Sequence, residues 1–220
     1  RAGWAALAVA LGKTRKVDVL ELTTDEGETV YALSALGWGT AGLMVSAAEK
    51  QAWLRSHRYW YGGAVSTIYE RPDSGTASRV RLMYPKVAGS DVFSEGEEAT
   101  ERPGWVARDL NVSALTATKV PTMAIGCYVN PSAAVDDGLV TLTWLPSESL
   151  STRHQMFSLG YRLSKGNAIA EEPGAQTVRV PEFAVQVSPD SPAISVDGEA
   201  FDPRSVHVRV LPGALTMFTM

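Results

Sequence analysis

From Thr122 to the end of the chain, apolar and β-branched segments of strand length are cut at short intervals by Pro, Gly and Asp. The strand candidates are Thr122–Val129, Leu139–Leu145, Thr177–Val187, Ala193–Val196 and Val206–Leu211. Such runs bury their side chains only by pairing with one another, and the turn residues between them allow it. One helix interrupts the series, Leu150 to Lys165, with Leu150, His154, Phe157 and Tyr161 on one side and Gly166-Asn167 as the stop. Upstream, Val17–Thr23 and Thr29–Leu36 flank the polar turn Thr24–Glu28 and read as a hairpin. The expected fold is α+β but mostly β, an antiparallel β-sandwich or open barrel with a few flanking helices.

The remaining stretches fit around that body. Residues 2–12 place Trp4, Leu7, Ala8 and Leu11 at helical spacing before Gly12. A helix that short is marginal in water without a partner surface. Ser46 to Tyr69 reads as one or two helices broken near Gly62-Gly63, with Ser46 and Glu49 as a capping box. Arg71–Gly104 is turn-rich apart from the short strand Val80–Tyr84, and acidic Ser90–Arg102 reads as a mobile surface loop. With 20 Lys+Arg against 24 Asp+Glu, the net charge of −4 gives no general drive toward nucleic-acid phosphates. No apolar run reaches the ~18 residues of a membrane span. A lone Cys127 excludes an internal disulfide and fits a reducing compartment. Arg1 reads as a cut inside a longer protein.

Few residue patterns carry chemistry on their own. Gly37-Trp38-Gly39-Thr40-Ala41-Gly42 is a literal G-x-G-x-x-G. A dinucleotide site would also need a second parallel strand ending in an acid ~20 residues on. Helix occupies that distance here, so the glycines read as a strand-to-helix bend. His57, His154 and His207 show no metal-ligand spacing, Cys127 sits in a core strand candidate, and no G-x-S-x-G elbow or phosphate loop is present. Asp136-Asp137-Gly138 and Asp197-Gly198-Glu199 read first as tight turns, because Asp-Gly tolerates positive φ. The sharper reading of the second has Glu199 reaching a nucleotide or a metal-linked water from a rigid hairpin. Trp38, Trp53 and Tyr59-Trp60-Tyr61 read as core aromatics.

Taken in order, the pieces resemble a known superfamily. Ala35-Leu36-Gly37-Trp38-Gly39, then Glu49-Lys50, Trp53-Leu54 and Arg58, resemble the sphingosine kinase succession L-x-W-G, S-E-K, R-W-L-G and R. Pro131-Ser132-Ala133 with Asp136-Asp137-Gly138-Leu139 resembles the P-x-A…D-D-G-L step of the wider diacylglycerol kinase superfamily, and Lys165-Gly166-Asn167 its K-G-N/H step. Val196-Asp197-Gly198-Glu199 followed by Val210-Leu211-Pro212-Gly213-Ala214-Leu215 resembles its closing hairpin.

That resemblance implies the C-terminal, β-rich, lipid-binding domain of a two-domain lipid kinase, closest to sphingosine kinase, with diacylglycerol or ceramide kinase-like activity as the alternative. Residues 1–16 would end the nucleotide-binding domain, and 17–220 would form the lipid-binding domain with a flexible insert at 85–104. ATP and Mg²⁺ would be bound mainly by the other domain, which would also supply the catalytic base and the Gly-Gly-Asp-Gly loop absent from these 220 residues. The isolated segment is therefore expected to be inactive. By the same analogy, Arg58, Asp197, Gly198 and Glu199 would contact the nucleotide. Leu43, Val45, Trp53 and Leu54 would line the path of a long-chain lipid whose primary hydroxyl is phosphorylated. A cytoplasmic enzyme bound peripherally to a membrane is implied, docking through a patch around Arg55, His57 and Arg58 or through exposed apolar residues.

Two positions depart from the sphingosine kinase pattern. Val45 stands where that family places an acid for the sphingoid amine, and Ala52 where it places a phosphate-binding arginine. A hydroxyl headgroup, as in diacylglycerol or ceramide, would not need the acid; alternatively Asp18 or Glu49 replaces it. An inactive lipid-binding or regulatory module of the same fold is the other reading.

Overall fold

A computed structural model describes residues 2–40, 78–86, 98–100, 102–124, 127–188 and 194–219. The helix α1 (Ala2–Leu11) leads through Gly12, at φ 66°, into β1 (Thr14–Thr24). The hairpin with β2 (Thr29–Ala32) forms as its turn residues dictate, pairing Thr23 with Thr29 and Leu20 with Ala32. The chain then breaks at Leu33-Ser34 and restarts as β3 (Ala35–Gly39), which pairs elsewhere. β4 (Ser78–Pro85), β5 (Glu98–Ala99), β6 (Trp105–Thr118), β7 (Thr122–Ala124), β8 (Cys127–Tyr128) and β9 (Val140–Pro146) follow. After a 3₁₀ turn (Ser147–Leu150) and α2 (Arg153–Ser164) come β10 (Gln176–Val180), β11 (Glu182–Val187), β12 (Ile194–Val196), β13 (Glu199–Phe201) and β14 (Ser205–Phe218).

Twelve of these strands form one antiparallel sheet whose main path runs β13-β12-β3-β6-β4-β11-β14-β1-β2, with β5, β9 and β10 branching from it. β6 makes this possible. Its residues 105–112 pair with β4, while 114–118 pair with β3, and a register shift against β9 falls between Val112 and Ala114. The sheet therefore curls, and the mostly-β, open-barrel expectation is met. Inside the curl, Leu20, Leu22, Leu36, Trp38, Leu82, Leu115, Leu142, Phe183, Val185 and Val208 are buried in one core. Trp38 meets Phe183 edge-on, with ring centroids 6.2 Å apart, joining the two limbs of the sheet.

Several segments depart from the sequence expectation. β6, the strand that organises the sheet, was not among the strand candidates; Asp109 and Asn111 interrupt its apolar pattern. Thr122–Val129 is a hairpin (β7–β8) rather than one strand. Thr177–Val187 breaks at Pro181, whose missing N–H cannot serve a ladder, so β10 pairs with β9 while β11 pairs with β4 and β14. At the end of the acidic stretch, Glu98–Ala99 lies against Val106 and Ala107 of β6 as a short strand. α2 turns the opposite face inward: Met156 and Leu159 pack on Leu145, Leu150 and Ile169, whereas His154, Phe157 and Tyr161 are exposed. Leu150 belongs to the preceding 3₁₀ turn, so it does not set the phase of the helix. A capping box of Thr152 and Gln155 starts that helix.

The Gly-rich motif has a packing explanation. Gly39 ends β3 at φ 65°, and a Cβ there would lie 2.6 Å from the Ser113 carbonyl oxygen. Thr40 donates its hydroxyl to that same carbonyl at 2.8 Å. Gly39→Ala is expected to lower stability by about 2 kcal/mol, read from the urea unfolding midpoint. A loss below about 0.5 kcal/mol would show that the close approach can relax.

Candidate functional site

Two Asp-Gly turns that looked alike in the sequence do different work. Asp197 and Gly198, at φ 48° and 93°, form a two-residue turn joining β12 to β13, where Val196 pairs with Glu199. The Asp197 carboxylate is consumed locally. Its Oδ2 accepts from the Leu33 backbone N–H at 2.7 Å. Its Oδ1 accepts from the N–H groups of Ser34 and Ala35, both at 2.9 Å, and from the Ser34 hydroxyl at 2.6 Å. Asp197 thus clamps the hairpin to the break between β2 and β3, and Glu199 is left exposed on the far side of the turn.

Asp136-Asp137-Gly138 does not form a tight hairpin; it is an irregular bend whose two carboxylates are engaged. Asp136 pairs with Arg15 at 2.5 Å. Asp137 binds Arg179 and, at 3.0 Å, the ammonium of Lys119. Lys119 is fully buried, and its Nζ also donates to Asp18 Oδ2 at 2.7 Å and to the Leu139 carbonyl at 2.6 Å. Three oxygens thus satisfy the three donors of the ammonium.

Asp18 is the second anchor. It is 3% exposed and accepts the N–H of Gly138 at Oδ2 (2.7 Å) and that of Gly213 at Oδ1 (2.9 Å). The Gly213 contact explains Leu211-Pro212-Gly213-Ala214-Leu215. β1 and β14 change register between Val17 and Val19, and Gly213, at φ 60°, turns its N–H toward Asp18. The D-D-G-L and L-P-G-A-L motifs therefore converge on one buried carboxylate. The backbone N–H of Lys119 bonds the Ser34 carbonyl at 2.8 Å, which links this centre to the Asp197 clamp through adjacent residues.

Burial pushes the Asp18 carboxyl pKa up, but the bonds from Lys119, Gly213 and Gly138 outweigh it and hold it below the ordinary aspartate value. Burial likewise acts upward on Asp197, and the Leu33, Ser34 and Ala35 donors more than reverse it. Both depressed groups release protons more readily folded than unfolded. Their stabilisation is therefore full above the unfolded aspartate pKa of about 3.9 and is lost as pH falls through the folded values. The urea midpoint should hold from neutrality to about pH 4 as far as these groups govern it, then drop. Asp18→Asn combined with Asp197→Asn should flatten that acid limb; an unchanged slope would assign it to other carboxylates.

Of the residues singled out in the sequence, Asp197, Gly198 and Glu199 are placed together in one hairpin, next to β3. Arg58, Leu43, Val45, Trp53 and Leu54 lie outside the described residues, as do Ala52, Arg55, His57 and Glu49. Asp18 is not available to a lipid amine, because Lys119 and two backbone N–H groups occupy it. Sequence reasoning missed Ser34, Lys119 and Arg179. A signal for the buried centre was present: in Val17-Asp18-Val19-Leu20-Glu21-Leu22, Asp18 shares the inward parity of Leu20 and Leu22. An acid at such a position needs a buried partner.

Comparison with known proteins agrees with this architecture. Residues 104–219 match the model of the YegS C-terminal NAD kinase beta sandwich-like domain. That is more than half of the chain, and the chain belongs to this family. Acylglycerol kinase, mitochondrial, from Homo sapiens is 24% identical over 97% of this chain, and its counterpart from Mus musculus is 26% identical over the same share. The chain spans 54% of each, so about half the length of these relatives. A Bacillus anthracis str. Sterne crystal structure assigned as a diacylglycerol kinase shares the fold at a TM-score of 0.63 and 12% identity, over 98% of this chain and 61% of that one.

Proposed function

We propose that this chain is the lipid-binding half of an ATP-dependent kinase that phosphorylates the primary hydroxyl of a neutral glycerolipid. The observation that carries the reading is the collinear match, over 97% of the chain, to acylglycerol kinases. The substrate class follows from two further points. A hydroxyl headgroup needs no counter-ion, in keeping with Val45 where sphingosine kinases carry an acid, and Asp18 is already committed to Lys119. A glycerolipid is therefore favoured over sphingosine.

In this reading Glu199, exposed on the β12–β13 hairpin, faces the nucleotide with Gly198, and Asp197 holds the hairpin in place. Arg58 would add a fixed positive charge for phosphate oxygens. Mg²⁺, when bound, would neutralise phosphate charge. The described residues do not fit it: none of their acids, histidines or cysteines group as a metal site, and the ammonium of Lys119 fills the one buried acidic centre described above. Metal and catalytic base are assigned to the part of the protein outside these residues.

Residues 1–16 are read as the end of that nucleotide-binding part. α1 is apolar all round, and Leu7, Val9 and Leu11 are exposed, as are Leu215, Met217 and Phe218 of β14. A helix of that composition is normally buried. No helix among the described residues is long and apolar enough to cross a membrane. Peripheral contact with a bilayer is accordingly proposed for substrate capture.

The test is labelled-phosphate transfer by the full-length protein from ATP to a panel of monoacylglycerol, diacylglycerol, ceramide and sphingosine in detergent micelles. Label in an acylglycerol is expected. Label confined to sphingosine would overturn the substrate class, and no label in any lipid would favour a lipid-binding module, the reading that Ala52 supports.

A further inference from the structure

We infer that the outward face of α2 is the surface by which the protein docks on an anionic lipid bilayer. His154, Phe157, Tyr161 and Lys165 follow one another at helical spacing and fall within an arc of about 80°. Met156 and Leu159 point the other way, into the small core with Leu145, Leu150 and Ile169. The helix thus satisfies its packing with one stripe and carries a second, aromatic stripe in solvent: Phe157 is 57% and Tyr161 65% exposed. Tyr128 of the neighbouring β8 is 41% exposed.

Charge selects the occupant. Between Ser149 and Ala170 the chain contains Arg153, Arg162 and Lys165 and not one acid, although its net charge is −4. Arg153 and Arg162 flank the aromatic stripe on either side; the Arg162 guanidinium is paired with Glu172 at 2.5 Å, which leaves Arg153 and Lys165 as the cations this face offers. Lys165 sits 5.5 Å from the Tyr161 ring, which keeps the ammonium beside the aromatic surface. Phe and Tyr rings partition into the headgroup region of a bilayer, Tyr keeping its hydroxyl in water, while the cations meet lipid phosphates. The choice of a bilayer as occupant rests on the lipid-kinase reading; the placement of the two stripes does not.

Co-sedimentation of the full-length protein with phosphatidylcholine vesicles, with and without phosphatidylserine, tests the inference. Wild type should bind better when phosphatidylserine is present. Phe157→Ser/Tyr161→Ser should weaken vesicle binding about tenfold or more, and Lys165→Glu should remove the preference for phosphatidylserine. Thermal midpoint and phosphorylation of detergent-dispersed lipid should stay at wild-type level in both variants. No vesicle binding by wild type, or equal binding by the double variant, would overturn the inference. A double variant that keeps vesicle binding but loses thermal stability would overturn it too, by showing that the face is covered by the protein. Vesicle binding that depends on the aromatic pair, in a protein that phosphorylates no lipid in detergent, would leave the docking surface standing and remove the kinase reading.

Discussion

Lys119→Met is expected to destabilise the full chain by about 3 kcal/mol or more, read from the urea unfolding midpoint at neutral pH. Methionine nearly matches lysine in length, so packing changes little and the loss is electrostatic. Asp18, 3% exposed, would keep its two backbone donors but lose the only cation placed against it among the described residues. Asp137 would retain Arg179, and so suffers less. Removing one partner of a buried pair leaves a charge in low dielectric, whereas removing both can be nearly neutral. Asp18→Asn/Lys119→Met should therefore be clearly more stable than the sum of its single variants, a coupling of about 1–3 kcal/mol. Additivity would mean that Asp18 and Lys119 act independently. A single-variant loss below about 1 kcal/mol would mean that water reaches the site.

The fold class was legible because short, punctuated apolar strands admit few arrangements. The β1–β2 hairpin followed from its polar turn, and the α1 stop from Gly12. β6 was not legible, since its value lies in pairing with β4, β5, β3 and β9 at sequence distances that no local window spans. The buried face of α2 was not legible for a different reason. Apolar residues occupy two sides of that helix, and periodicity cannot say which side meets the core.

The site was legible in its motifs and not in their connection. Asp-Gly pairs announce turns, yet whether the aspartate is a cap, an ion-pair partner or a ligand depends on what lies opposite. For Asp197 the answer is the broken end of β2; for Asp137 it is a lysine eighteen residues upstream. Only the inward parity of Asp18 hinted that a charge centre lay inside the sheet.

The clamp and the exposed acid next to it should separate cleanly in kinetics. Glu199→Gln in the full-length protein is expected to reduce kcat/KM for ATP by about 100-fold, with the unfolding midpoint unchanged, because its side chain is exposed and would act on the nucleotide. Asp197→Ala should lower both. It removes four hydrogen bonds from Leu33, Ser34 and Ala35 and places alanine at φ 48°, together costing about 1–3 kcal/mol. Freed from the β2–β3 break, the hairpin no longer presents Glu199 at a fixed position, so turnover falls with it. Asp197→Asn tolerates the same backbone and keeps one acceptor oxygen for the Ser34 and Ala35 donors, so it should recover most of both losses. Failure of Asn to restore turnover, despite restored stability, would show that the Asp197 charge itself meets the nucleotide. Wild-type turnover in Glu199→Gln would remove that residue from the site and leave the hairpin a purely structural element.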